Sequence, residues 1–328
     1  MENIFGTLPS GQTATLYTLS DGRLKAAVTN YGAALVSLWV DGLDVVLGYE
    51  DCNGYRQNDG FLGATVGRNA NRIRGSRFPM GERTVCLPPN EGENNLHSGP
   101  QPYSQRLWTA EQVTDRSVTL FLDSPDGDQG FPGHAEIRVT YALSGDGLTI
   151  SYDAVSDADT VFNFTNHAYF NLFGEDQPHR AMEQLLTVPG RWFCPDDAQN
   201  IPTGELRPVE GTAFDFRSPK PLGRDIGCGD EPLILQGGYD HNFEAAQPVC
   251  AILQNPETGL TMQVSTTCPG IQIYTANFLD VVGRHPYPRR SGVALETQFA
   301  PDSVNHPEWP QPFWKAHVPY HSETRYQF

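Results

Sequence analysis

Short strand-like runs, rich in β-branched and aromatic residues, recur from one end of this chain to the other. Four of them cover residues 35–40, 117–122, 136–141 and 148–153. Alternation of apolar and polar residues indicates β-strands, because successive side chains of a strand point to opposite faces. The turn sequence Gly145-Asp146-Gly147 predicts a hairpin, and no stretch keeps an apolar period of 3.6 residues. The pattern predicts an all-β protein of antiparallel strands with few, short helices.

The chain is long enough for one large β domain. Its 328 residues are 38% hydrophobic, which provides for a sizeable core. The proline-rich residues 301–319 have the composition of a linker, but Trp309, Phe313 and Trp314 interrupt them. We therefore expect a single domain, residues 1–328, built as a large sandwich of antiparallel sheets. An antiparallel sheet can leave one face polar, and a large curved sheet would make that face a groove.

The charge balance bears on the kind of ligand. Acidic residues outnumber basic ones 39 to 22, which gives a formal net charge of −17. A field of that sign repels nucleic acids and anionic membrane surfaces, so we expect neither as a partner. It suits a neutral small molecule and disfavours a highly phosphorylated one unless arginine residues cluster locally.

Cysteine usage and the first residues predict a cytoplasmic protein. The six cysteines lie far apart without a Cys-x-x-Cys pair, which favours reduced thiols over a disulfide framework. The sequence begins without a basic segment followed by an apolar run, so no signal peptide is expected. No run approaches the roughly 18 apolar residues of a membrane helix.

Residues 161–170 place a histidine on the polar side of a strand-like alternation. One side carries Phe162, Phe164, Ala168 and Phe170, and the other carries Asn163, Thr165, His167 and Tyr169. His167 is either a buried structural histidine or part of a ligand site. Its neighbours on that side, Tyr169 among them, can all form hydrogen bonds with a ligand.

Residues 292–299 place a glutamate in a similar setting. Val293, Leu295 and Phe299 oppose Glu296 and Gln298. A carboxylate within such a strand is costly to bury unless it is paired or used, although a salt bridge on an outer face is the alternative. Held on strands with apolar backing, His167 and Glu296 are candidates for an acid and base pair.

Three further segments carry weaker signals. Asn71-Arg72 could offer hydrogen-bond donors to sugar hydroxyls. His97 lies in a polar loop; loops often carry functional residues, but a solvated histidine is the default interpretation. Asp240 beside His241 raises the question of a metal, but no His-x-His pair or paired cysteine accompanies them, so we expect no metal.

Taken in order, these segments resemble the aldose 1-epimerases, also called galactose mutarotases. The likeness extends from the strand at Tyr31-Gly32-Ala33 almost to the C-terminus. Its motifs are residues 67–73, 95–99, 126–133, 165–172, 238–241, 269–274, 295–298 and 301–307. Each motif is short and weak alone, but their number and order make the resemblance specific.

The resemblance implies a single β-supersandwich domain of the galactose mutarotase-like type, with a sugar in a cleft on one sheet. It implies Glu296 as general base, His167 as general acid and His97 as a second histidine close to the sugar. It also implies that Asn71, Arg72, Asp240 and Gln272 bind hydroxyl groups, to which the alternation adds Tyr169. No cofactor or metal is required, the partner is a free aldose, and the chain is expected to be a monomer or a homodimer.

The implied reaction interconverts the α and β anomers of free aldohexoses such as glucose and galactose. Ring opening removes a proton from the C1 hydroxyl and supplies one to the ring oxygen. We expect an ionised Glu296 and a protonated His167 in the free enzyme.

Three rivals remain at this point. A hexose-6-phosphate mutarotase would need additional arginine or lysine residues at the cleft. A non-catalytic sugar-binding protein could keep the cleft without the acid and base. A glycoside hydrolase needs two carboxylates that flank the scissile bond, and here the partner of Glu296 is a histidine.

Overall fold

A computed structural model describes all 328 residues as a protein of thirty β-strands. The first fifteen are β1 (Glu2–Thr7), β2 (Thr13–Asp21), β3 (Leu24–Thr29), β4 (Ala34–Val40), β5 (Leu43–Asp44), β6 (Thr65–Val66), β7 (Arg72–Ile73), β8 (Arg77–Met80), β9 (Arg83–Cys86), β10 (Asn95–Leu96), β11 (Thr109–Val113), β12 (Ser117–Ser124), β13 (Ala135–Ser144), β14 (Gly147–Ser156) and β15 (Thr160–Val161). The others are β16 (Thr165–Asn166), β17 (Tyr169–Phe170), β18 (Leu185–Thr187), β19 (Trp192–Phe193), β20 (Arg207–Pro208), β21 (Lys220–Pro221), β22 (Asp240–Glu244), β23 (Ala251–Gln254), β24 (Thr261–Thr266), β25 (Gly270–Tyr274), β26 (Val281–Val282), β27 (Pro286–Tyr287), β28 (Val293–Gln298), β29 (Phe313–Trp314) and β30 (Tyr320–Gln327). The all-β prediction is confirmed.

Helices are few and short, as the sequence predicts. The two α-helices are α1 (Cys52–Arg56) and α2 (Glu231–Gln236). Five 3₁₀ turns cover Arg74–Ser76, Tyr103–Gln105, Asp128–Gly130, Pro178–Glu183 and Ser303–Asn305. None of these helices has the length and apolar character needed to cross a membrane.

Three sheets form the body of the protein, and all pairings between the named strands are antiparallel. The five-stranded sheet has the order β1-β2-β3-β4-β5, and the nine-stranded sheet has the order β11-β12-β13-β14-β30-β24-β23-β18-β21. The six-stranded sheet has the order β17-β28-β25-β22-β19-β20. Ser144 pairs with Gly147, so the predicted hairpin joins β13 to β14. Five smaller pairs of strands complete the structure.

The main core lies between the nine-stranded and six-stranded sheets. It comprises 53 buried residues, and the five-stranded sheet contributes Val28 and Leu38 to it. Phe170 of β17 packs on Tyr326 of β30 with ring centroids 4.9 Å apart. The six-stranded sheet therefore has its inner face covered by a second sheet, and its outer face is left to the loops.

Strand β28 shows how the alternation divides the two faces. Val293 and Leu295 belong to the main core, whereas Ala294 belongs to a separate cluster on the other side. Since side chains of a strand alternate, Glu296 shares the outer face with Ala294. The sequence placed Glu296 opposite Val293 and Leu295, as the structure does.

Residues 161–170 do not form the single strand that their alternation suggests. They form three two-residue strands, β15, β16 and β17, which pair with β29, β6 and β28. Asn163 accepts the main-chain N–H of Phe299, and Asn166 accepts that of Ala168. Asparagine side chains that bond to the backbone compete with strand pairing, which accounts for the breaks. Phe162 and Phe164 still enter the core as the pattern predicts.

Truncation of the core residue behind Glu296 tests this arrangement. Leu295 is 0% exposed, so Leu295→Ala should lower the free energy of unfolding by about 2–5 kcal/mol through lost burial and a cavity. Urea unfolding followed by intrinsic fluorescence measures the change. Val282→Ala is the control, because Val282 is 79% exposed and its truncation should leave the midpoint nearly unchanged. Equal midpoints for both variants would contradict the packing described.

Candidate active site

A cavity of about 350 Å³ lies over the outer face of the six-stranded sheet. The sheet provides its floor, and loops that follow α1, β6, β9 and β25 provide its walls. Its lining includes Phe61, Arg72, His97, His167, Asp240 and Glu296. A volume of this order is typical of sites for one small molecule.

The outer face of the six-stranded sheet carries side chains in rows across neighbouring strands, and some of them reach the cavity. Asn242 pairs with Gln272, and Gln272 pairs with Glu296, so these three point to the same face. In the adjacent row Asp240 pairs with Tyr274. The antiparallel register thus brings together residues that are more than fifty positions apart in the sequence.

His167 and Glu296 face each other at the bottom of the cavity. His167 Nε2 and Glu296 Oε1 are 3.7 Å apart, and both side chains are almost fully buried. His167 Nδ1 and Glu296 Oε2 have no hydrogen-bond partner within the protein. Buried polar atoms without partners are costly, so these two atoms indicate a place where a polar ligand would complete the bonding.

Burial sets the protonation of this pair. It lowers the pKa of His167 to about 4 and raises the pKa of Glu296, to which the nearby Asp240 carboxylate adds. Both directions favour a neutral imidazole facing a protonated carboxyl in the empty cavity. The expectation of an imidazolium opposite a carboxylate in the free enzyme is therefore wrong. It ignored the desolvation of both groups. The ion pair and the neutral pair carry the same number of protons, and they differ only in which of the two side chains holds one of them.

His97 is held by the main chain of a neighbouring loop. The N–H of Asn71 donates to His97 Nδ1 at 3.1 Å, and the N–H of His97 donates to the Asn71 carbonyl at 3.1 Å. Both residues have a positive φ, 60° for Asn71 and 51° for His97, a conformation that is uncommon outside glycine. The fixed loops place the His97 ring 5.7 Å from that of His167.

The bond to Nδ1 also fixes the tautomer of His97. Burial lowers the pKa of His97 well below its usual value, so the ring is neutral. Since Nδ1 accepts a hydrogen bond, the single ring proton lies on Nε2. His97 therefore offers the cavity a hydrogen-bond donor.

The same proton argues against a metal centre. His97, His167 and Glu296 bring their potential ligand atoms within 4.8 Å of one another, a spacing that could suit a transition metal. Binding through His97 Nε2 would require the proton to move to Nδ1, where the Asn71 N–H already points. The donor set fits a polar organic ligand better than a cation.

Arg72 connects the wall to the floor. Its guanidinium binds Glu91 through two hydrogen bonds of 2.6 and 2.9 Å, and its Nη1 is 3.9 Å from Asp240 Oδ2. The other oxygen of Asp240 accepts a bond of 2.7 Å from Gln272 Nε2. A carboxylate held from two sides in this way is well placed to accept hydrogen bonds from hydroxyl groups.

The structure brings seven of the eight predicted site residues to the wall or floor of one cavity. They are Glu296, His167, His97, Asn71, Arg72, Tyr169 and Asp240. Gln272 does not line it and lies behind Asp240. The hydroxyl of Tyr169 donates to the Gly60 carbonyl at 2.9 Å, so the side that Tyr169 offers to a ligand is its ring.

Three of the lining residues that were not predicted have clear parts in the site, namely Phe61, Glu91 and Tyr274. Phe61 forms a roof over both histidines, with ring centroids 4.7 Å from His97 and 5.8 Å from His167. Glu91 neutralises Arg72 from a loop that carries no motif. The sequence does carry a signal for Tyr274, because the alternation of residues 271–274 puts Tyr274 on the side of Gln272 and opposite Ile273. Phe61 and Glu91 have no sequence signal, because only the folded loops bring them to the cavity.

Comparison with known proteins identifies the family to which the chain belongs. The aldose 1-epimerase family model matches residues 15–327. The galactose mutarotase of Mus musculus is 39% identical over 339 residues, which cover 99% of this chain and 97% of the relative. The aldose 1-epimerase of Escherichia coli (strain K12) is 39% identical over 337 residues, which cover 98% of this chain and 96% of the relative.

Solved structures of aldose epimerases have the same fold as this chain. The galactose 1-epimerase from Lactobacillus acidophilus NCFM superimposes with a TM-score of 0.89 at 26% identity, covering 100% of this chain and 98% of that one. An aldose epimerase homologue from C. elegans gives 0.88 at 28% identity, covering 96% and 98%.

Fold, cavity and comparisons define an isomerase built on a β-supersandwich. The chain belongs to the aldose 1-epimerase family, as the resemblance of its motifs indicated.

The protonation of the pair predicts a bell-shaped dependence of kcat/KM on pH. Activity should persist below the ordinary histidine pKa of about 6.5 and fall only as the pH approaches the lowered His167 pKa of about 4. On the alkaline side it should fall when Glu296 loses its proton. Polarimetry corrected for spontaneous mutarotation at each pH measures the profile. An acid limb centred near pH 6.5 would contradict the neutral imidazole.

Proposed function

We propose that this enzyme interconverts the α and β anomers of free aldohexoses such as glucose and galactose. The proposal rests on the 3.7 Å contact between His167 Nε2 and Glu296 Oε1 in a cavity that suits one small molecule. The mobile proton of this pair is the one that ring opening has to supply to the ring oxygen.

Glu296 is proposed to take the proton of the C1 hydroxyl while His167 gives one to the ring oxygen. The bond between C1 and the ring oxygen then breaks, an aldehyde forms at C1, and the C1–C2 bond rotates. Reclosure reverses both transfers, so protons and electrons balance and no external reactant is needed. Sugar hydroxyls that donate to Glu296 Oε2 would favour the carboxylate, which moves the proton of the free pair to His167.

The remaining predicted residues are proposed to bind the sugar. His97 Nε2–H donates to a sugar oxygen, and Asp240 accepts from hydroxyl groups. Arg72 and Asn71 line the wall beside them, and Tyr169 presents its ring. Gln272 acts at one remove, through its bond to Asp240.

Substitution of the acid and the base tests the assignment. Glu296→Gln and His167→Asn should each lower kcat by about 10²–10⁴, because each removes one positioned proton-transfer group. Asp240→Asn should mainly raise KM. Glu244→Gln is the matched control, since Glu244 lies on the same strand as Asp240 but binds Arg191. Near-native kcat in either of the first two variants, measured by polarimetry with α-D-galactose, would refute the roles.

The charge of the cavity supports free sugars over phosphorylated ones. Its lining has five carboxyl groups and one arginine, and Glu91 already neutralises that arginine. The five are Asp59, Glu91, Asp240, Asp280 and Glu296. A phosphate dianion would meet repulsion without a free cation to offset it.

Comparison of two substrates tests this preference. The kcat/KM for α-D-glucose 6-phosphate should be at least about tenfold below that for α-D-glucose, because the uncompensated carboxylates oppose the phosphate. Raised ionic strength should narrow the difference by screening. Equal values at low ionic strength would favour the hexose-phosphate mutarotase.

Three further features of the protein belong to the same proposal. Residues 1–328 act as one catalytic domain, which the shared core of the three sheets supports. The enzyme works in the cytoplasm, in keeping with six free cysteines. It is a monomer or a homodimer.

A further inference from the structure

Tyr141 brings a buried hydroxyl from the nine-stranded sheet to the segment that carries His167. It lies on β13, its side chain belongs to the main core, and it is 0% exposed. The hydroxyl donates to the Ala33 carbonyl at 2.6 Å and accepts from Asn166 Nδ2 at 3.0 Å. A buried tyrosine hydroxyl needs partners of this kind, and one of them here is the residue that precedes His167.

The side chain of Asn166 uses all of its hydrogen-bonding groups. Its second amide proton goes to the Gly63 carbonyl at 2.9 Å, and its Oδ1 accepts the main-chain N–H of Ala168 at 3.1 Å. Gly63 belongs to the segment that runs beside His167, and Ala168 follows His167 in the chain. One buried amide therefore joins that segment to the main chain on the far side of the histidine.

The main chain of His167 is bonded to the same segment in both directions. Its N–H donates to the Ala64 carbonyl at 2.9 Å, and its carbonyl accepts the N–H of Gly63 at 3.0 Å. The strand before it, β16, pairs with β6, which continues that segment. The backbone of the histidine is thus fixed by a closed set of hydrogen bonds that includes the Asn166 side chain.

The imidazole of His167 has no comparable support of its own. Nδ1 has no hydrogen-bond partner within the protein, and Nε2 is 3.7 Å from Glu296 Oε1. A functional histidine is commonly oriented by a hydrogen bond at the ring nitrogen that faces away from the reaction. Here the ring has aromatic neighbours instead, with centroids 5.0 Å away in Tyr169 and 5.8 Å away in Phe61. Its place opposite Glu296 therefore depends on where the main chain holds it.

We propose that Tyr141 and Asn166 are positioning residues that hold His167 opposite Glu296 through the main chain. The hydroxyl of Tyr141 fixes the Asn166 amide, and the amide fixes the backbone from which the imidazole projects. The nine-stranded sheet is thereby connected to the group that transfers the proton. The inference rests on the proposed role of His167 as general acid.

Loss of the Tyr141 hydroxyl tests the proposal. Tyr141→Phe keeps the ring in the core and leaves one amide proton of Asn166 without an acceptor. Because a small misplacement of a proton-transfer group slows the reaction strongly, kcat should fall by about tenfold or more. KM for galactose should stay within about twofold, since no sugar ligand is changed. Polarimetry with α-D-galactose measures both constants, and a wild-type kcat would overturn the proposal.

Tyr320→Phe is the matched control. Tyr320 is also a buried tyrosine of the main core, and its hydroxyl donates to Ser322 Oγ at 2.8 Å on its own strand, β30. Both variants lose a buried hydrogen bond, so urea unfolding should show similar decreases in stability. Only Tyr141→Phe should lower kcat. An equal loss of kcat in the two variants would point to destabilisation alone and would overturn the proposal.

The effect of Tyr141 should also depend on the presence of His167. In a His167→Asn background, Tyr141→Phe should lower kcat no further, because the group that it positions is gone. A second loss of about tenfold in that background would show that Tyr141 acts by another route and would overturn the proposal.

The surroundings of the ring are measured without turnover. In protein labelled with ¹⁵N-histidine, the imidazole signals that His167→Asn lacks should shift or broaden in Tyr141→Phe and stay in place in Tyr320→Phe. Unchanged signals in Tyr141→Phe would overturn the inference. If the signals respond but the wild type does not act on aldoses, the proposed function fails while the positioning of His167 stands.

Discussion

The active site depends on the packing of the six-stranded sheet against the nine-stranded sheet. That contact buries one face of β28, β25 and β22 in a common apolar core. Because side chains alternate, the same strands direct Glu296, Gln272 and Asp240 to the opposite face. The loops then close over that face, so a row of polar groups ends up nearly without water. The perturbed protonation of His167 and Glu296 follows from this enclosure.

Much of this organisation could be read from the sequence, because periodicity records which side of a strand meets the core. The placement of Glu296 opposite Leu295 and of Phe162 and Phe164 in the core is correct for that reason. The motifs that resemble the family supplied the residues that periodicity could not connect. Order and spacing along the chain therefore predicted the architecture and seven of the 17 residues that line the cavity.

The parts that could not be predicted involve contacts between distant loops and the effects of burial. The bond from the Asn71 N–H to His97 depends on two left-handed backbone conformations that no residue pattern signals. The engagement of the Tyr169 hydroxyl by Gly60 likewise follows from how the roof folds. The expected protonation of His167 and Glu296 was wrong because a sequence shows which residues are neighbours in the chain. It does not show how much water they lose on folding.

The alternation of the floor has a consequence for how this family can vary. Side chains alternate between the two faces along each of these strands. One inserted or deleted residue within β28 would therefore turn Glu296 toward the core and Leu295 toward the cavity. Changes in chain length must therefore fall in the loops. The alignment with the mouse relative extends over 339 positions although this chain has 328 residues, so gaps are present. Insertions can accumulate in the loops around the cavity while the number of residues in the strands beneath it stays constant.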